Sequence, residues 1–496
     1  MKRVAVIGAG LGGLAVSIRL AHAGYRVTLL EKNERVGGKM DLWEKDGYRF
    51  DTGPSLLTMP FVLRELFASA GKELEDFLEL VPVEPICRYY WPDGSRLDAF
   101  TDVGHTVREV ERFSRSDAAN VPRFLEHGKK IYDAAAEPFL LSPFGSLRFR
   151  DLAKSLRHLP AMTRIDAFRS LNDAVEEYFV DGRIRQLFNR FATYNGSSPY
   201  KAPATLSIIP YVEFAMGGWY IRGGMYTLAR ALELLARELG VETRTAVEVQ
   251  NIVQKGSEVC GIRTRDGKVI EADIVVSNAD ALYAERALLG NEGAAQAEPS
   301  LAGFVLLLGV RKTWPLLGHH SVFFSENYRA EFDAMSGEGK LSENPTIYVS
   351  NTSHTDPDHA PEGCSNLFVL VNAPPLAGPG QEECGVDWRV EGERYRDRII
   401  SILEERGLDG LRESIRTMHM VTPLDFQQRY HAHRGSIYGM SSNSRMAAFL
   451  RPPNRSRGYR NLYFVGGSSH PGGGIPLVLL SGRIVADMVR REHGIS

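Results

Sequence analysis

The sequence predicts an α/β protein built on a Rossmann-like dinucleotide-binding unit, and its first 31 residues carry this prediction. An apolar strand ends in a glycine turn, a helix pattern follows, and a second apolar strand ends in an acid. Such glycines allow a tight turn against a pyrophosphate, the helix N-terminus favours anions, and the acid accepts ribose hydroxyls. In order, these elements are the strand 4–7, the glycines Gly8, Gly10 and Gly13, the helix 11–23, the strand 27–30 and Glu31.

Composition and charge describe an enzyme-sized globular protein. The 496 residues are 43% hydrophobic and 24% charged, and the net charge is −2 with both signs interspersed. This length gives room for two or three core-forming units. Because no basic surface is indicated, no nucleic-acid partner is expected.

The spacing of cysteines and histidines predicts no metal site. The four cysteines, Cys87, Cys260, Cys364 and Cys384, lie far apart and form no CxxC pair, which fits reduced thiols. The sequence contains no HExxH motif. The run 354–359 holds two histidines, but it is polar and contains a proline, so it is interpreted as a surface loop.

The N-terminus resembles a signal peptide because Lys2 and Arg3 precede an apolar run. The glycines that follow and the strand-helix-strand rhythm favour a folded domain instead. No stretch reaches the roughly 18 consecutive apolar residues of a spanning helix. We therefore expect a cytoplasmic protein whose contact with a membrane surface is peripheral.

Two further glycine turns decide between the dinucleotide cofactors. The pair Gly37-Gly38, followed by Lys39, comes shortly after the predicted ribose-binding acid, and the run Asp51-Thr-Gly-Pro54 follows. A nicotinamide enzyme usually needs the first fingerprint alone, whereas additional backbone-rich turns suit a long dinucleotide bound along its whole length. This pattern indicates FAD.

Two kinds of segment, which differ in composition and in predicted secondary structure, alternate along the chain. Glycine-rich segments with strand and helix patterns occupy 1–82, 216–300 and 440–496, and we assign these to a discontinuous FAD-binding domain. Charged amphipathic helices, aromatic clusters and further strands occupy 83–215 and 301–439, and we assign these to a substrate- and membrane-facing domain. Predicted elements include a helix over 225–239, a hairpin over 261–270, a helix near 394–406 and a C-terminal helix over 477–493.

Several motifs together resemble one family. They are VIGAGLGGLA at 6–15, the glycine pair 37–38, DTGP at 51–54, IRGGM at 221–225, SNAD at 277–280 and the segment 461–476, which ends in HPGGGIP. The chain resembles the bacterial-type phytoene desaturases, a family of carotenoid desaturases within the amine-oxidase-like flavoproteins. The resemblance covers essentially the whole length and implies a glutathione-reductase-like FAD domain with an inserted α+β substrate domain.

The resemblance also implies a cofactor site. In that family the residues corresponding to Gly8, Gly10 and Gly13 face the pyrophosphate, and the residue at Glu31 faces the adenosine ribose. Lys39, at a position where many relatives have arginine, would approach the phosphate side. The lysine keeps the charge and loses the planar fork of arginine. The residues implied to line the flavin are Ser55, Leu56, Asn278, Gly467, Gly474 and Ile475. The backbone of Val249 would hold the adenine, and the pair Gly37-Gly38 is a further cofactor-binding turn.

The implied activity is FAD-dependent introduction of double bonds into a carotenoid, with hydride transfer to the flavin. The substrate would be of the phytoene type or hydroxylated. The segments 89–94 and 57–60 look closer to the late desaturases, which act on hydroxylated carotenoids. Oxygen or a quinone would reoxidise the cofactor. No catalytic side chain is assigned. Asp151 and Lys154 are interpreted as a surface pair, and His470 is expected to make a structural hydrogen bond.

Other interpretations stay open. The same motifs suit a flavin-dependent carotenoid cis-trans isomerase or a non-catalytic prenyl-binding carrier. An amine or porphyrinogen oxidase would share the first motif, but we do not expect it to carry the HPGGGIP ending. The aromatic residues between 188 and 220 fill a core or line an isoprenoid tunnel. The apolar segment Pro138–Phe144 either dips into a bilayer or forms a buried loop.

Overall fold

The computed structural model describes residues 1–136, 165–291, 298–378, 385–443 and 451–494. The strands are β1 Arg3–Ile7, β2 Arg26–Leu30, β3 Leu42–Lys45, β4 Tyr48–Asp51, β5 Leu80–Pro82, β6 Cys87–Tyr90, β7 Arg96–Ala99, β8 Trp219–Ile221, β9 Glu242–Arg244, β10 Val249–Lys255, β11 Glu258–Thr264, β12 Val269–Glu271, β13 Ile274–Ser277, β14 Ala302–Val310, β15 His320–Phe323, β16 Ile347–Asn351, β17 Ser365–Ala373, β18 Ile415–Val421 and β19 Leu462–Phe464. The helices are α1 Leu11–His22, α2 Pro60–Ala68, α3 Val103–Glu111, α4 Arg115–Ala135, α5 Leu171–Tyr178, α6 Gly182–Asn189, α7 Ile208–Met216, α8 Tyr226–Glu238, α9 Ala281–Tyr283, α10 Tyr328–Asp333, α11 Trp388–Glu405, α12 Leu411–Ser414, α13 Pro423–Tyr430 and α14 Ile475–His493.

A five-stranded parallel sheet, in the order β19-β13-β1-β2-β9, confirms the Rossmann-like prediction. Its strands come from three distant parts of the chain. The central strand β1 is buried from Val4 onward, as expected of a parallel strand covered on both faces. Helix α1 joins β1 to β2 and packs against α8 and α14. The sheet therefore brings the N-terminal glycine turn and the C-terminal glycine segment to one edge.

The second large sheet has seven strands, in the order β18-β14-β17-β16-β15-β6-β7. Its strands pair antiparallel except for β15 and β6. All nine residues of β14 are buried, and α11 covers one side of the sheet through Trp388 and Ile399. Three smaller antiparallel sheets, β10-β11-β12, β3-β4 and β5-β8, complete the strands.

Helices α3 to α7 form a layer beside the seven-stranded sheet, and aromatic rings fill its core. Phe179 and Phe188 stack with ring centroids 4.5 Å apart, and Phe124 meets both edge-on. Phe188 and Phe191 are fully buried in this cluster, which confirms core filling for these two rings.

The predicted elements agree with the structure within two residues for α1, α8 and α14, while the helix expected near 394–406 begins earlier, at Trp388. The hairpin turns at Asp266-Gly267 as predicted. The two sheets lie in the two sets of segments assigned above, and we propose them as the two domains. Asp151, Lys154 and the segment Pro138–Phe144 lie outside the described residues.

The interpretation of 354–359 as a surface loop holds only in part, because His354, Pro357 and Asp358 are exposed while two polar side chains of the segment are not. Asp356 and His359 are buried, and the segment forms two short 3-10 turns. The Asp356 carboxylate accepts a hydrogen bond from the Gly223 amide at 2.6 Å, and His359 Nδ1 lies 2.9 Å from the Thr352 hydroxyl. These polar side chains are buried because they have partners within the fold.

Candidate functional site

One large cavity, of about 490 Å³, runs from the edge of the parallel sheet toward the seven-stranded sheet. Its lining includes thirteen of the fourteen residues predicted to bind the cofactor. These are Gly8, Gly10, Glu31, Gly37, Gly38, Lys39, Ser55, Leu56, Val249, Asn278, Gly467, Gly474 and Ile475.

Gly13 is the predicted cofactor residue that does not line the cavity. A Cβ added here would lie under 3.0 Å from the Gly8 carbonyl oxygen. Its missing side chain therefore lets α1 pack closely against the turn after β1. This differs from the expected contact with a pyrophosphate, because the third glycine of such a turn serves helix packing.

The first two glycine turns touch one another at the centre of the cavity. The Gly37 amide donates to the Ala9 carbonyl at 2.8 Å, and a Cβ on Gly38 would lie 3.1 Å from the Gly10 Cα. Asn278 follows β13 and donates from Nδ2 to the Gly8 carbonyl at 3.2 Å. The result is a closely packed cradle, in which a Cβ at Gly10 would lie 2.8 Å from Asn278 Nδ2.

Glu31 is buried at the end of β2 and holds the same turn. Its Oε2 accepts a hydrogen bond from the Ala9 amide at 2.8 Å, and its Oε1 accepts from the Asn33 amide and side chain, both at 2.9 Å. Each carboxylate oxygen has two lone pairs, so Oε2, which accepts one bond here, can still accept a bond from a ribose hydroxyl.

Lys39 lies in the cavity wall, and its ammonium is bonded to the protein. The Nζ atom donates to the Ser436 carbonyl at 3.2 Å and to the Ile437 carbonyl at 2.5 Å. Burial lowers the pKa of this ammonium to about 8. The side chain thus links the cofactor-binding segment to residues 436–437. Its predicted approach to a phosphate would come in addition to these hydrogen bonds.

Asp51 connects two of the sequence motifs in the folded structure. Its carboxylate accepts hydrogen bonds from the Met225 and Tyr226 amides at 2.8 and 2.9 Å, at the N-terminus of α8. Burial raises the pKa of Asp51, and these two amide bonds oppose the rise. The DTGP segment therefore supplies the carboxylate that caps helix α8, and the IRGGM segment leads into that helix.

The C-terminal glycine segment ends at the N-terminus of α14. No acidic residue occupies the first turn of α14 or of α1, so both helices present their positive ends without an internal counter-charge. His470 is buried outside the cavity lining, and its carbonyl accepts bonds from Asn454 Nδ2 and Ser481 Oγ, both at 2.8 Å. These backbone bonds place His470 in the framework of the turn.

Together these features fit FAD. The cradle between the glycine turns is closed to side chains and lies at the ends of β1 and β13. A carboxylate stands at the end of β2, where an adenosine ribose binds in this kind of fold. Two helix N-termini favour the negatively charged pyrophosphate.

The far end of the cavity contains polar residues that the sequence did not reveal as a site. Arg190 donates from Nη2 to the Tyr89 hydroxyl at 2.8 Å and lies 3.4 Å from Glu213 Oε1. The Tyr194 hydroxyl donates to Glu213 Oε2 at 2.5 Å. The side chains of Arg190 and Glu213 are 9% and 1% exposed. We call Arg190, Tyr194 and Glu213 the arginine cluster.

A second polar group connects this end to the cofactor segment. The Tyr348 hydroxyl lies 2.7 Å from His320 Nδ1 and 2.5 Å from the Ser55 hydroxyl. Burial and the charge of Arg190 lower the pKa of His320 to about 3, so this imidazole is neutral. Burial raises the pKa of Glu213, although Arg190 and Tyr194 oppose the rise.

The described part of the chain contains no cluster of three side chains arranged to hold a metal ion. Of the helices that the structure describes, none is both long and apolar enough to cross a membrane.

The parallel sheet, the glycine cradle and the cavity that leaves it define an FAD-binding oxidoreductase. Residues 11–490 match the model of the flavin-containing amine oxidoreductases, and the chain belongs to this family. FAD is accordingly its cofactor. Among solved structures, an oxidoreductase from Methanosarcina mazei has a TM-score of 0.63 at 17% identity, covering 98% of this chain and 100% of its own. Cyclohexylamine oxidase from Brevibacterium oxydans has a TM-score of 0.60 at 16% identity, covering 99% of both chains.

Full-length relatives narrow the family further. The chain is 40% identical to 4,4'-diapolycopene oxygenase of a Methylomonas species, covering 98% of both chains. It is 36% identical to 1-hydroxycarotenoid 3,4-desaturase of a Flavobacterium species and 35% identical to 4,4'-diaponeurosporene oxygenase of Staphylococcus aureus, covering 99% of each pair. The resemblance to carotenoid desaturases is therefore confirmed.

Proposed function

We propose that this protein is an FAD-dependent carotenoid desaturase. The observation that carries the proposal is that one continuous cavity joins a dinucleotide cradle to a space walled by the second sheet. The full-length relatives act, by their names, on carotenoids, and one of them is a desaturase. A long polyene entering from the second domain would reach the cofactor end of this cavity.

The reaction removes two hydrogens from a CH2–CH2 unit beside the polyene and leaves a double bond. Bound FAD supplies the acceptor for one of them as a hydride, which no amino-acid side chain can provide. The second leaves as a proton. The chain itself contributes an apolar wall, including Val322, Phe368 and Leu370, that orients the polyene and excludes water.

We propose the following assignment of the cofactor site. The backbone at Gly8 and Gly10 and the N-terminus of α1 hold the pyrophosphate, Glu31 holds the adenosine ribose and Val249 faces the adenine. Gly37 and Gly38 form the second turn of the site, and Lys39 approaches a phosphate. The flavin end is formed by Ser55, Leu56, Asn278, Gly467, Gly474 and Ile475. All of them line the cavity, which supports this assignment.

Terminal oxidation of the polyene is the second candidate, because two of the named relatives are oxygenases. The two reactions share hydride removal from a carbon beside the polyene and differ in its fate. In desaturation a neighbouring carbon loses a proton, whereas in oxygenation the carbon gains an oxygen atom from water or dioxygen. The mass of the product separates them.

Membrane association belongs to the same proposal. A carotenoid is dissolved in lipid, so we propose that the protein collects it from a membrane surface through the second domain. Oxygen or a quinone is the proposed terminal electron acceptor.

The test is to incubate the FAD-loaded protein in liposomes with phytoene, lycopene and a 1-hydroxylated carotenoid. Desaturation predicts a product with a red-shifted spectrum and two fewer hydrogens. Incorporation of labelled oxygen would instead establish the oxygenase. Altered geometry at constant mass would establish an isomerase, and binding without conversion would establish a carrier.

A further inference from the structure

A segment from the substrate side of the chain forms part of the wall of the cofactor cavity. Residues 428–437 begin in the last turn of α13, and two of them, Arg429 and His431, line the same cavity as Gly8 and Glu31. We call residues 428–437 the strap. Because the cofactor turns form one part of the wall and the strap forms another, FAD bound as proposed above would be enclosed by both.

Two lysines hold the two ends of the strap against the cofactor-binding segments. Near its start, Lys32 Nζ donates to the Gln428 carbonyl at 2.7 Å. Near its end, Lys39 Nζ donates to the carbonyls of Ser436 and Ile437. Each lysine directly follows a residue proposed to bind FAD, so these hydrogen bonds fasten the strap at the edges of the cofactor site.

An aromatic stack holds the middle of the strap. The His431 ring lies parallel to the Tyr283 ring, with the centroids 4.0 Å apart and an angle of 2° between the planes. His431 Nε2 also lies 3.2 Å from Lys32 Nζ and 3.5 Å from Glu248 Oε1. Glu248 precedes Val249, which we propose to face the adenine. The stack therefore joins the strap to the cofactor domain at the adenosine end of the site.

The backbone of the strap is strained where it turns. His431 and Arg434 both have a φ of +51°, in the left-handed region that favours glycine, and Gly435 follows with a φ of +69°. A non-glycine residue keeps such a conformation only where its surroundings hold it, and residues of this kind cluster at ligand clamps and switch regions. Release of the stack would let these turns relax, which offsets part of the cost of opening the strap.

The strap lies at the surface, between two fixed ends. The side chains of Arg429 and His431 are 46% and 25% exposed. Before the strap, Thr422 forms a capping box at the start of α13, and after it the Tyr438 amide donates to the Ser300 hydroxyl at 3.1 Å. Opening the strap between these ends would break surface contacts and leave the hydrophobic cores in place.

We propose that the strap closes over the adenosine end of the FAD site, that the stack of Tyr283 and His431 holds it closed, and that it opens when FAD enters or leaves. The inference rests on the proposed position of FAD and goes beyond the proposed reaction, because it concerns exchange of the cofactor. A closure slows both association and release of FAD, whereas a side chain that only contacts FAD slows release alone.

The test measures both rate constants of FAD binding to the full-length protein by stopped-flow flavin fluorescence. His431→Asn removes one ring of the stack and suits the left-handed backbone, and Tyr283→Leu removes the other ring. We expect each variant to raise the association and dissociation rate constants together by about 10-fold, the effect of losing one aromatic pair. A rise in the dissociation rate constant alone, or two unchanged rate constants, would overturn the proposal.

His419→Asn is the matched control, because it removes the same kind of ring pair elsewhere. His419 stacks on Trp43 with the centroids 5.2 Å apart, and both lie outside the residues that line the cavity. We expect this variant to keep both wild-type rate constants. An equal rise in the control would mean that general loosening of the fold, and not the strap, sets the rate of FAD exchange.

Hydrogen exchange followed by mass spectrometry tests the closure without binding kinetics. We expect FAD to slow exchange of the backbone amides of residues 428–437 in the wild type, and to slow it less in His431→Asn. Exchange that is the same with and without FAD would overturn the inference. Neither experiment uses a carotenoid, so a failure of desaturation leaves both results valid. Wild-type FAD affinity in Gly10→Val would instead show that the proposed position of FAD is wrong, and the inference would fail with it.

Discussion

The two ends of the cavity are built in different ways. The cofactor end is made largely of backbone: Gly10 approaches Gly37 and Gly38 closely, and helix ends face the space. The substrate end is made of side chains that come from separate helices and strands, such as Arg190 and His320. Backbone cradles suit a cofactor shared by a whole family, whereas side chains can be exchanged to suit one substrate.

The largest expected effect comes from closing the backbone approach at the cofactor end. Gly13→Ala puts a Cβ under 3.0 Å from the Gly8 carbonyl. Because backbone must move to admit it, we expect a loss of ~1–3 kcal/mol in the free energy of unfolding and less than ~10% of the wild-type flavin content. Flavin absorbance of the purified protein measures the latter.

A similar steric clash in the helical layer of the substrate side tests whether flavin loss is specific to the cofactor end. A Cβ on Gly128, in α4, would lie under 3.0 Å from the Ser207 carbonyl. Gly128→Ala should therefore destabilise the protein by a similar ~1–3 kcal/mol and retain flavin. Gly182→Ala, with open space around its Cβ, should change neither property. Equal flavin loss in Gly13→Ala and Gly128→Ala would mean that the two halves do not act separately.

A buried acid behind the substrate end should make stability depend on pH. Burial raises the pKa of Glu331 from 4.5 to about 7, although Ser325 and Thr346 donate to its Oε2 at 2.8 Å. Because the folded pKa is raised, the contribution of this group is full below pH 4.5 and is lost as pH rises through about 7. The expected loss is about 3 kcal/mol.

Glu331→Gln removes this titration. Denaturant unfolding of the wild type and of the variant at pH 5 and pH 8 should show that the variant loses about 3 kcal/mol less across this interval. Parallel pH dependence in the two proteins would show that Glu331 does not titrate as described. Glu338→Gln, on an exposed turn, provides the control.

Lys39 should make FAD binding weaken at alkaline pH. Burial lowers the pKa of its ammonium to about 8 without FAD, and an anionic cofactor favours the protonated form. The dissociation constant of FAD should therefore be flat below pH 8 and rise by up to ~10-fold by pH 9. Flavin fluorescence quenching measures it.

Two variants isolate the effect of Lys39. Lys39→Arg keeps its charge throughout this range and should abolish the pH dependence. Lys39→Met should weaken binding at every pH and also show no dependence between pH 7 and pH 9. A rise that persists in Lys39→Met would assign the titration to another group.

The difference between the two ends also explains what the sequence revealed. The cofactor turns are short contiguous motifs in which a required glycine is visible, and the βαβ unit, the helices and the FAD preference followed from them. Gly13 was predicted as a required glycine, but its role was not. The motif shows that a small residue is needed there and does not show whether the pyrophosphate or the packing of α1 requires it.

The arginine cluster was missed because its members, at positions 190, 194 and 213, belong to no short motif with a known chemistry. From the sequence alone, an isolated arginine or histidine on the surface cannot be distinguished from one in a buried site. Glu213 did carry a signal, since it is the single charge in the otherwise apolar helix IIPYVEFAM of α7. Asp356 and His359 were misplaced for the same reason: their partners, Gly223 and Thr352, are known from the fold alone.

A single turnover without oxygen tests whether the flavin accepts the hydride removed from the carotenoid. FAD-loaded protein is mixed anaerobically with a hydroxylated carotenoid while the flavin and polyene bands are followed together. Hydride transfer to FAD predicts that the oxidised-flavin absorbance falls as the polyene spectrum shifts to the red, with one new double bond for each flavin reduced. A red shift without flavin bleaching, or bleaching without a new double bond, would contradict it.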